Sequence, residues 1–245
     1  MTANSFAPTE KVRPTPRQRP VIAIDGPAGA GKSTLAAHLA RTFGFLNLET
    51  GAMYRALALK AIENDFGFDE EEPLLELASR TRIKLEPQLE GNIVLLDGTN
   101  VSRRIRDKDV TSGASQISVH PRLRAWMVAE QRALGQAGGV VMEGRDIGTA
   151  VFPDAEVKIF LDADPEVRGN RRYQQLPGTP DAPTVTEATL IAEMRERDQR
   201  DRNRTESPLK PAPDAILLDS TNLTLDQVLV EAEKIVRSHL PTTPQ

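Results

Sequence analysis

Short apolar, β-branched runs alternate along this chain with longer stretches in which apolar residues recur at helical spacing. The runs cover 21–25, 45–48, 140–143, 157–162 and 215–219. Near-continuous apolar runs of this length suit strands buried on both faces, the condition of a parallel sheet covered by helices. Helices are expected over 32–43, 52–64, 165–175 and 225–239. The last opens on Thr224-Leu-Asp-Gln227, the spacing of a capping box. Asp164-Pro165 likewise offers a cap followed by proline at the first helical position, where a missing N–H costs nothing.

Between Glu70 and Ser115 the pattern changes. Positions 82–85 and 92–96, separated by Gly91, read as antiparallel strands and so as an insertion into the main sheet. A second interruption, the Pro- and Gly-rich loop over 176–183, leads into an Arg-rich helix over 190–204. The chain therefore divides into a disordered tail (1–19), a first core segment (20–66), an insertion (67–125), a second core segment (126–173), a lid (174–206), and a last strand and helix (207–245).

Composition narrows the function. Of 245 residues, 39% are hydrophobic and 27% charged, with a net charge of −4, which argues against a protein that coats nucleic acid or an anionic membrane. Small-molecule partners are expected instead, with no nucleic acid, no membrane and a monomeric state. There are no cysteines, so thiolate catalysis, disulfides and Cys-based metal sites are excluded, and only three histidines remain for other clusters. Positions 1–20 carry Lys11, Arg13, Arg17 and Arg19 among prolines without an apolar segment, and no later run approaches membrane-spanning length. A cytoplasmic protein with an unstructured N-terminal extension is expected.

Chemistry enters with Gly26-Pro-Ala-Gly-Ala-Gly-Lys-Ser33, which follows the first strand and opens the first helix. This is the G-x-x-x-x-G-K-[ST] phosphate loop in its required context. The residues Gly26, Pro27, Ala28, Gly29, Ala30, Gly31, Lys32, Ser33 and Thr34 are the candidate ATP-binding set. Glycines let the backbone curl until successive N–H groups face one anion, and the helix start adds its positive dipole end. Lys32 would reach the outer phosphates, while the Ser33 hydroxyl can ligate Mg2+.

Three further segments follow strands. Glu49-Thr-Gly-Ala-Met-Tyr-Arg55 comes after the second, where open parallel sheets bind ligands, so Thr50, Gly51 and Arg55 form a candidate second phosphate site. Capping alone would also explain Thr50 and Gly51. Glu143-Gly-Arg-Asp-Ile-Gly148 opens at the same sheet edge, with Glu143 placed to meet Mg2+ through water and Arg145 placed to hold phosphate. In the run 195–204, helical spacing puts Arg197, Asp201 and Arg204 on one face, with Arg200 on the side of Arg204. Guanidinium groups suit the spread charge of a phosphoryl group in transfer. An RNA-binding helix is the lesser alternative, because acidic residues are interleaved and the chain is acidic as a whole.

Taken together, these four blocks resemble the cytidylate kinases, a family of nucleoside monophosphate kinases. The resemblance runs from about Val21 to Ile235 and includes Val151-Phe-Pro-Asp154 after the third block. It implies an α/β fold with a five-stranded parallel sheet of order 2-3-1-4-5, a monophosphate-binding insertion and a mobile lid. It further implies ATP-dependent, Mg2+-assisted phosphorylation of CMP and dCMP. By that resemblance Arg55, Arg145 and Arg204 clamp the CMP phosphate beside Thr50 and Tyr54, and Arg197 and Asp201 lie near the ribose hydroxyls. Ser115, Arg124 and Asp146 read the base, since a carboxylate can accept from the exocyclic amine of cytosine but not from the O4 of uracil. Lys32, Arg145, Arg197 and Arg204 are the candidate catalytic residues. Two departures stand out: Glu143 replaces the Asp of some relatives, and the tail is long. Another phosphate-loop kinase of a small molecule or a different monophosphate is the alternative.

Overall fold

The computed structural model describes residues 17, 19–88, 91–175 and 185–240. The chain starts with β1 (Val21–Asp25), α1 (Lys32–Phe43), β2 (Leu46–Glu49) and α2 (Thr50–Glu63). The insertion then contributes α3 (Glu71–Ser79), β3 (Ile83–Gln88), β4 (Gly91–Leu96), β5 (Thr99–Asn100), α4 (Lys108–Ile117) and α5 (Pro121–Gly135). The core resumes with β6 (Val140–Gly144), β7 (Val157–Asp162) and α6 (Pro165–Gln174), followed by α7 (Glu187–Asn203), β8 (Ile216–Asp219) and α8 (Leu225–His239).

Strands β2-β6-β1-β7-β8 form one sheet whose pairings are all parallel. Counting only these five in chain order gives 2-3-1-4-5, the expected α/β arrangement. β3, β4 and β5 make a separate antiparallel sheet, one strand more than the pattern predicts.

β1 shows why the main sheet is stable. Successive side chains of a strand alternate faces, so Val21 and Ala23 join the core shared with α2, α4, α5 and β6. Ile22 and Ile24 enter the opposite core beneath α1 and α8. Burying an Ile or Val side chain fully contributes about 1.5–3 kcal/mol, and β1 buries Ile22 and Ile24 on one face and Val21 on the other. At one end of this layer α8 has the expected capping box: Gln227 N–H donates to Thr224 Oγ1 at 3.3 Å, and Thr224 N–H to Gln227 Oε1 at 2.8 Å.

Several expectations change. Helices α3, α4 and α5 are absent from the predicted elements, and α5 runs through the boundary placed at 125/126. Asp164 does precede α6, but its side chain makes no cap bond; its own N–H instead donates to Thr221 Oγ1 at 3.0 Å. Arg17 and Arg19, placed in the disordered tail, are held against the body. Arg17 pairs with Asp154 at 2.7 Å and lies over Phe152, and Arg19 donates to Gly44 O at 2.7 Å over Phe45. A charge pair for Arg17, a backbone carbonyl for Arg19 and an aromatic face for each explain why these two arginines are fixed. The rest of the tail and the loop over 176–183 lie outside the described residues. No described helix is long and apolar enough to cross a membrane.

Candidate active site

The carboxyl ends of β1, β2 and β6 lie side by side, since Asp25 registers with Gly144 and Glu49 with Glu143. The first three motif blocks leave from this edge. Gly26 turns the chain away from β1 at φ 149°, and a Cβ there would fall 2.0 Å from Leu161 O. No side chain fits against that backbone. Gly29, at φ 76°, lets the loop continue its tight curve into α1.

Lys32 points back into the loop and donates to Pro27 O at 2.7 Å. Burial pushes its ammonium down to about 7, Arg145 and Arg197 push in the same direction, and Glu143 and Asp25 oppose them. Glu143 is driven upward by burial, against the pull of Lys32 and a bond from the Ser33 side chain. Its Oε1 is buried without a hydrogen-bond partner. Ser33 and Thr34 are exposed at the helix start.

At the head of α2, Thr50 Oγ1 donates to Glu143 O at 2.7 Å, so this hydroxyl ties β6 to α2. Arg55, just over a turn later, pairs with Glu49, and its Nε is buried without a partner. Burial works against ionisation of Glu49, but Arg55, with Arg106 and Lys32, outweighs it and holds the carboxyl below its ordinary range. Tyr54 is packed beneath Arg124, whose guanidinium lies 5.6 Å from the ring centre. Burial raises the Tyr54 phenol to about 12.

Beyond β6 the third block forms a wide turn in which Val151 and Phe152 N–H bond carbonyls five residues back. Such turns insert one extra residue and recur at functional sites. Arg145 donates through Nε to Asp201 Oδ2 at 3.1 Å and through Nη1 to Gly144 O at 3.2 Å. Asp146 is buried against Arg124, which also donates to Ser118 O at 3.1 Å.

The fourth block lies on α7. Arg197 is nearly enclosed, and burial, reinforced by Arg145, lowers it to about 10. Asp201 stands between Arg145 and Arg204; burial opposes its charge, but those two with Arg197 hold it below the usual carboxylate range. The expected helix end is corrected here. α7 stops at Asn203, and Arg204 turns out in an extended conformation with its Nε on Ser207 O at 2.9 Å. Its Nη2 and the Nε of Arg197 are buried and unpartnered. Arg200 departs toward the insertion, donating to Ser115 Oγ at 2.7 Å.

The structure thus gathers the phosphate loop, Glu143, Arg145, Arg197 and Asp201 around one point, with Tyr54, Arg124, Asp146 and Arg204 forming an adjoining cluster. Asp25 was not among the candidates. Its carboxylate accepts from Ile147 N–H at 2.8 Å and Gly148 N–H at 2.7 Å, fixing the third block to the end of β1. The one available signal was a charged residue closing an otherwise apolar strand.

These blocks also match known proteins as a set. The cytidylate kinase family model matches residues 22–238. A cytidylate kinase of Solibacter usitatus is 49% identical over 92% of this chain and 96% of that protein. One of Aeromonas hydrophila is 48% identical over 88% and 93%, and one of Salmonella arizonae 46% over 90% and 96%. With a match spanning nearly the whole core and both appendages, the chain belongs to the cytidylate kinase family of nucleoside monophosphate kinases.

Proposed function

We propose that the protein transfers the γ-phosphoryl group of ATP directly to a phosphate oxygen of CMP or dCMP, giving CDP or dCDP and ADP. The observation that carries this reading is the position of Lys32: the lysine of the phosphate loop sits in the fields of Glu143, Arg145 and Arg197, which come from two other blocks. Donor and acceptor anions can therefore be held at the same place.

The acceptor oxygen is already anionic, so the reaction needs no strong base. What it needs is approach of two like charges in line. Gly26 to Thr34 would cradle the triphosphate through backbone N–H groups, with Lys32 on the outer phosphates. Arg55, Arg145 and Arg204 would bind the acceptor phosphate near Thr50 and Tyr54. In this reading Arg197 and Asp201 meet the ribose, and Ser115, Arg124 and Asp146 meet the cytosine edge. Seating α7 over the site would exclude water and suppress loss of phosphate to hydrolysis.

The donor set fits Mg2+. Glu143 Oε1 is buried and unpartnered beside Ser33, and the described residues hold no group of three His, Cys, Asp or Glu able to bind a metal alone. Ser33, and Glu143 through water, would therefore hold the ion together with phosphate oxygens, the mixed ligation Mg2+ favours. When bound, it supplies charge neutralisation on the triphosphate.

ADP release measured against CMP, dCMP, UMP, AMP, GMP and shikimate tests the proposal. CMP and dCMP should be turned over best; preference for a purine monophosphate or shikimate would overturn it.

A further inference from the structure

Arg168, on α6, is 1% exposed and connects three elements that the motif blocks leave separate. Its Nε donates to Ala163 O and its Nη1 to Ala28 O of the phosphate loop, both at 2.8 Å. The same guanidinium faces Asp198 of α7, with Nη1 3.3 Å from Oδ1 and Nη2 bonded to Oδ2. Asp198 is itself buried, one helical turn before Asp201 on α7. Close packing surrounds the pair. A Cβ on Gly169 of α6 would lie 2.3 Å from Ile191 Cγ1 of α7, and one on Gly29 would lie 3.0 Å from Met194 Cε of α7. The helix α7 therefore rests both on α6 and on the middle of the phosphate loop.

A trans peptide directs its carbonyl and its N–H to opposite sides. Holding Ala28 O toward Arg168 consequently turns the Gly29 N–H away from Arg168. A glycine-rich loop binds phosphate through such N–H groups, so the orientation of this one peptide matters to the donor site. Lysine in place of Arg168 would keep the charge but not the planar fork that reaches a carbonyl and a carboxylate together.

We propose that Arg168 and Asp198 are a positioning pair for the phosphate loop: Arg168 fixes the Ala28–Gly29 peptide with its N–H presented to ATP, and Asp198 makes that orientation depend on α7 being seated. Neither residue touches the reacting atoms. Loop competence and the position of α7 become one event, because the carboxylate that neutralises Arg168 is carried by α7. This rests on reading Gly26 to Ser33 as the ATP cradle.

The test uses the full chain, with ATP and CMP binding measured separately by calorimetry for wild type, Asp198→Asn, Asp198→Glu and Arg168→Lys. Asp198→Asn should raise the ATP Kd about tenfold, the size of one misplaced charge-assisted hydrogen bond, and leave the CMP Kd within about twofold. Asp198→Glu should recover part of the loss. Arg168→Lys should show the same ATP-selective weakening, and decides the matter if Asp198→Asn does not fold. In both weakened variants the Gly29 amide resonance should shift before any nucleotide is added. An unchanged ATP Kd, or equal weakening of ATP and CMP with the Gly29 resonance unmoved, would overturn the pair's role. Wild-type turnover of CMP is recorded alongside. Its absence with normal ATP binding counts against the proposed function alone, whereas normal turnover with unaffected variants counts against the pair alone.

Discussion

Arg145 donates to Asp201 at 3.1 Å, joining the turn after β6 to α7 across fifty-six residues of sequence. The bond brings an arginine of the core, placed at the acceptor phosphate in the proposed function, together with a carboxylate of α7. Beside it, Arg197 Nε and Arg204 Nη2 are buried without hydrogen-bond partners, and in the proposed complex they face anions. Replacing Asp201 with Ala should lower kcat/KM for CMP by about 10²-fold, as for loss of one preorganised transition-state contact, while the KM for ATP changes little. Steady-state kinetics with each substrate varied in turn check this; an equal rise in both KM values would contradict it.

Asp146 is buried against Arg124, an arrangement that costs solvation and is repaid only by close pairing. In the proposed complex this carboxylate also accepts from the cytosine amine. Asp146→Ala should shrink the ratio of kcat/KM for CMP over UMP by about tenfold or more, because the unfavourable pairing with uracil disappears. Unchanged selectivity in a folded, active variant would remove Asp146 from base reading.

Gly26→Ala tests the loop's geometry. A methyl group 2.0 Å from Leu161 O cannot be absorbed by rotating a side chain, since both partners are backbone. Strained placement of this kind costs on the order of 1–3 kcal/mol. Urea denaturation should show a loss of that size, together with loss of ATP binding; wild-type stability would mean that the turn does not hold.

Burial raises the Asp25 carboxyl from 3.8 to about 6, even though Ile147 and Gly148 donate to it. Between those two values the folded protein thus holds a proton that the unfolded chain releases. Stability from this group is present in full below 3.8 and is lost as pH rises through about 6. Stability measured against pH should decline across that window relative to Asp25→Asn, and the Asp25 carboxyl should titrate near its upper end. A pH-independent difference between the two proteins would contradict the assignment.

The parallel sheet was legible because β1, β6 and β7 are buried on both faces and mostly apolar, so their runs stand out whatever surrounds them. α5 was hidden by its own chemistry: its buried face carries Arg124 and Gln131 beside Leu123 and Met127, which breaks the apolar stripe. α4 carries Thr111, Ser112, Gly113 and Ser115 at its centre, weak helix formers, and is held by packing instead. Its Gly113 makes room for the Phe68 ring, whose Cζ would lie 2.5 Å from an added Cβ. In the site, the four blocks announced themselves through spacing. Asp25, Arg168 and Asp198 did not, since they act on backbone atoms or charges far away in sequence, and such partners follow only from the fold.

ATP labelled at its γ-phosphorus, mixed with CMP and Mg2+, tests most directly whether the phosphate loop and the arginine cluster form one transfer site. Wild-type protein should place the label in the β-phosphate of CDP. Lys32→Met should do so on the order of 10³-fold more slowly while remaining folded. Label released only as inorganic phosphate with CMP untouched, or undiminished transfer by Lys32→Met, would contradict the account.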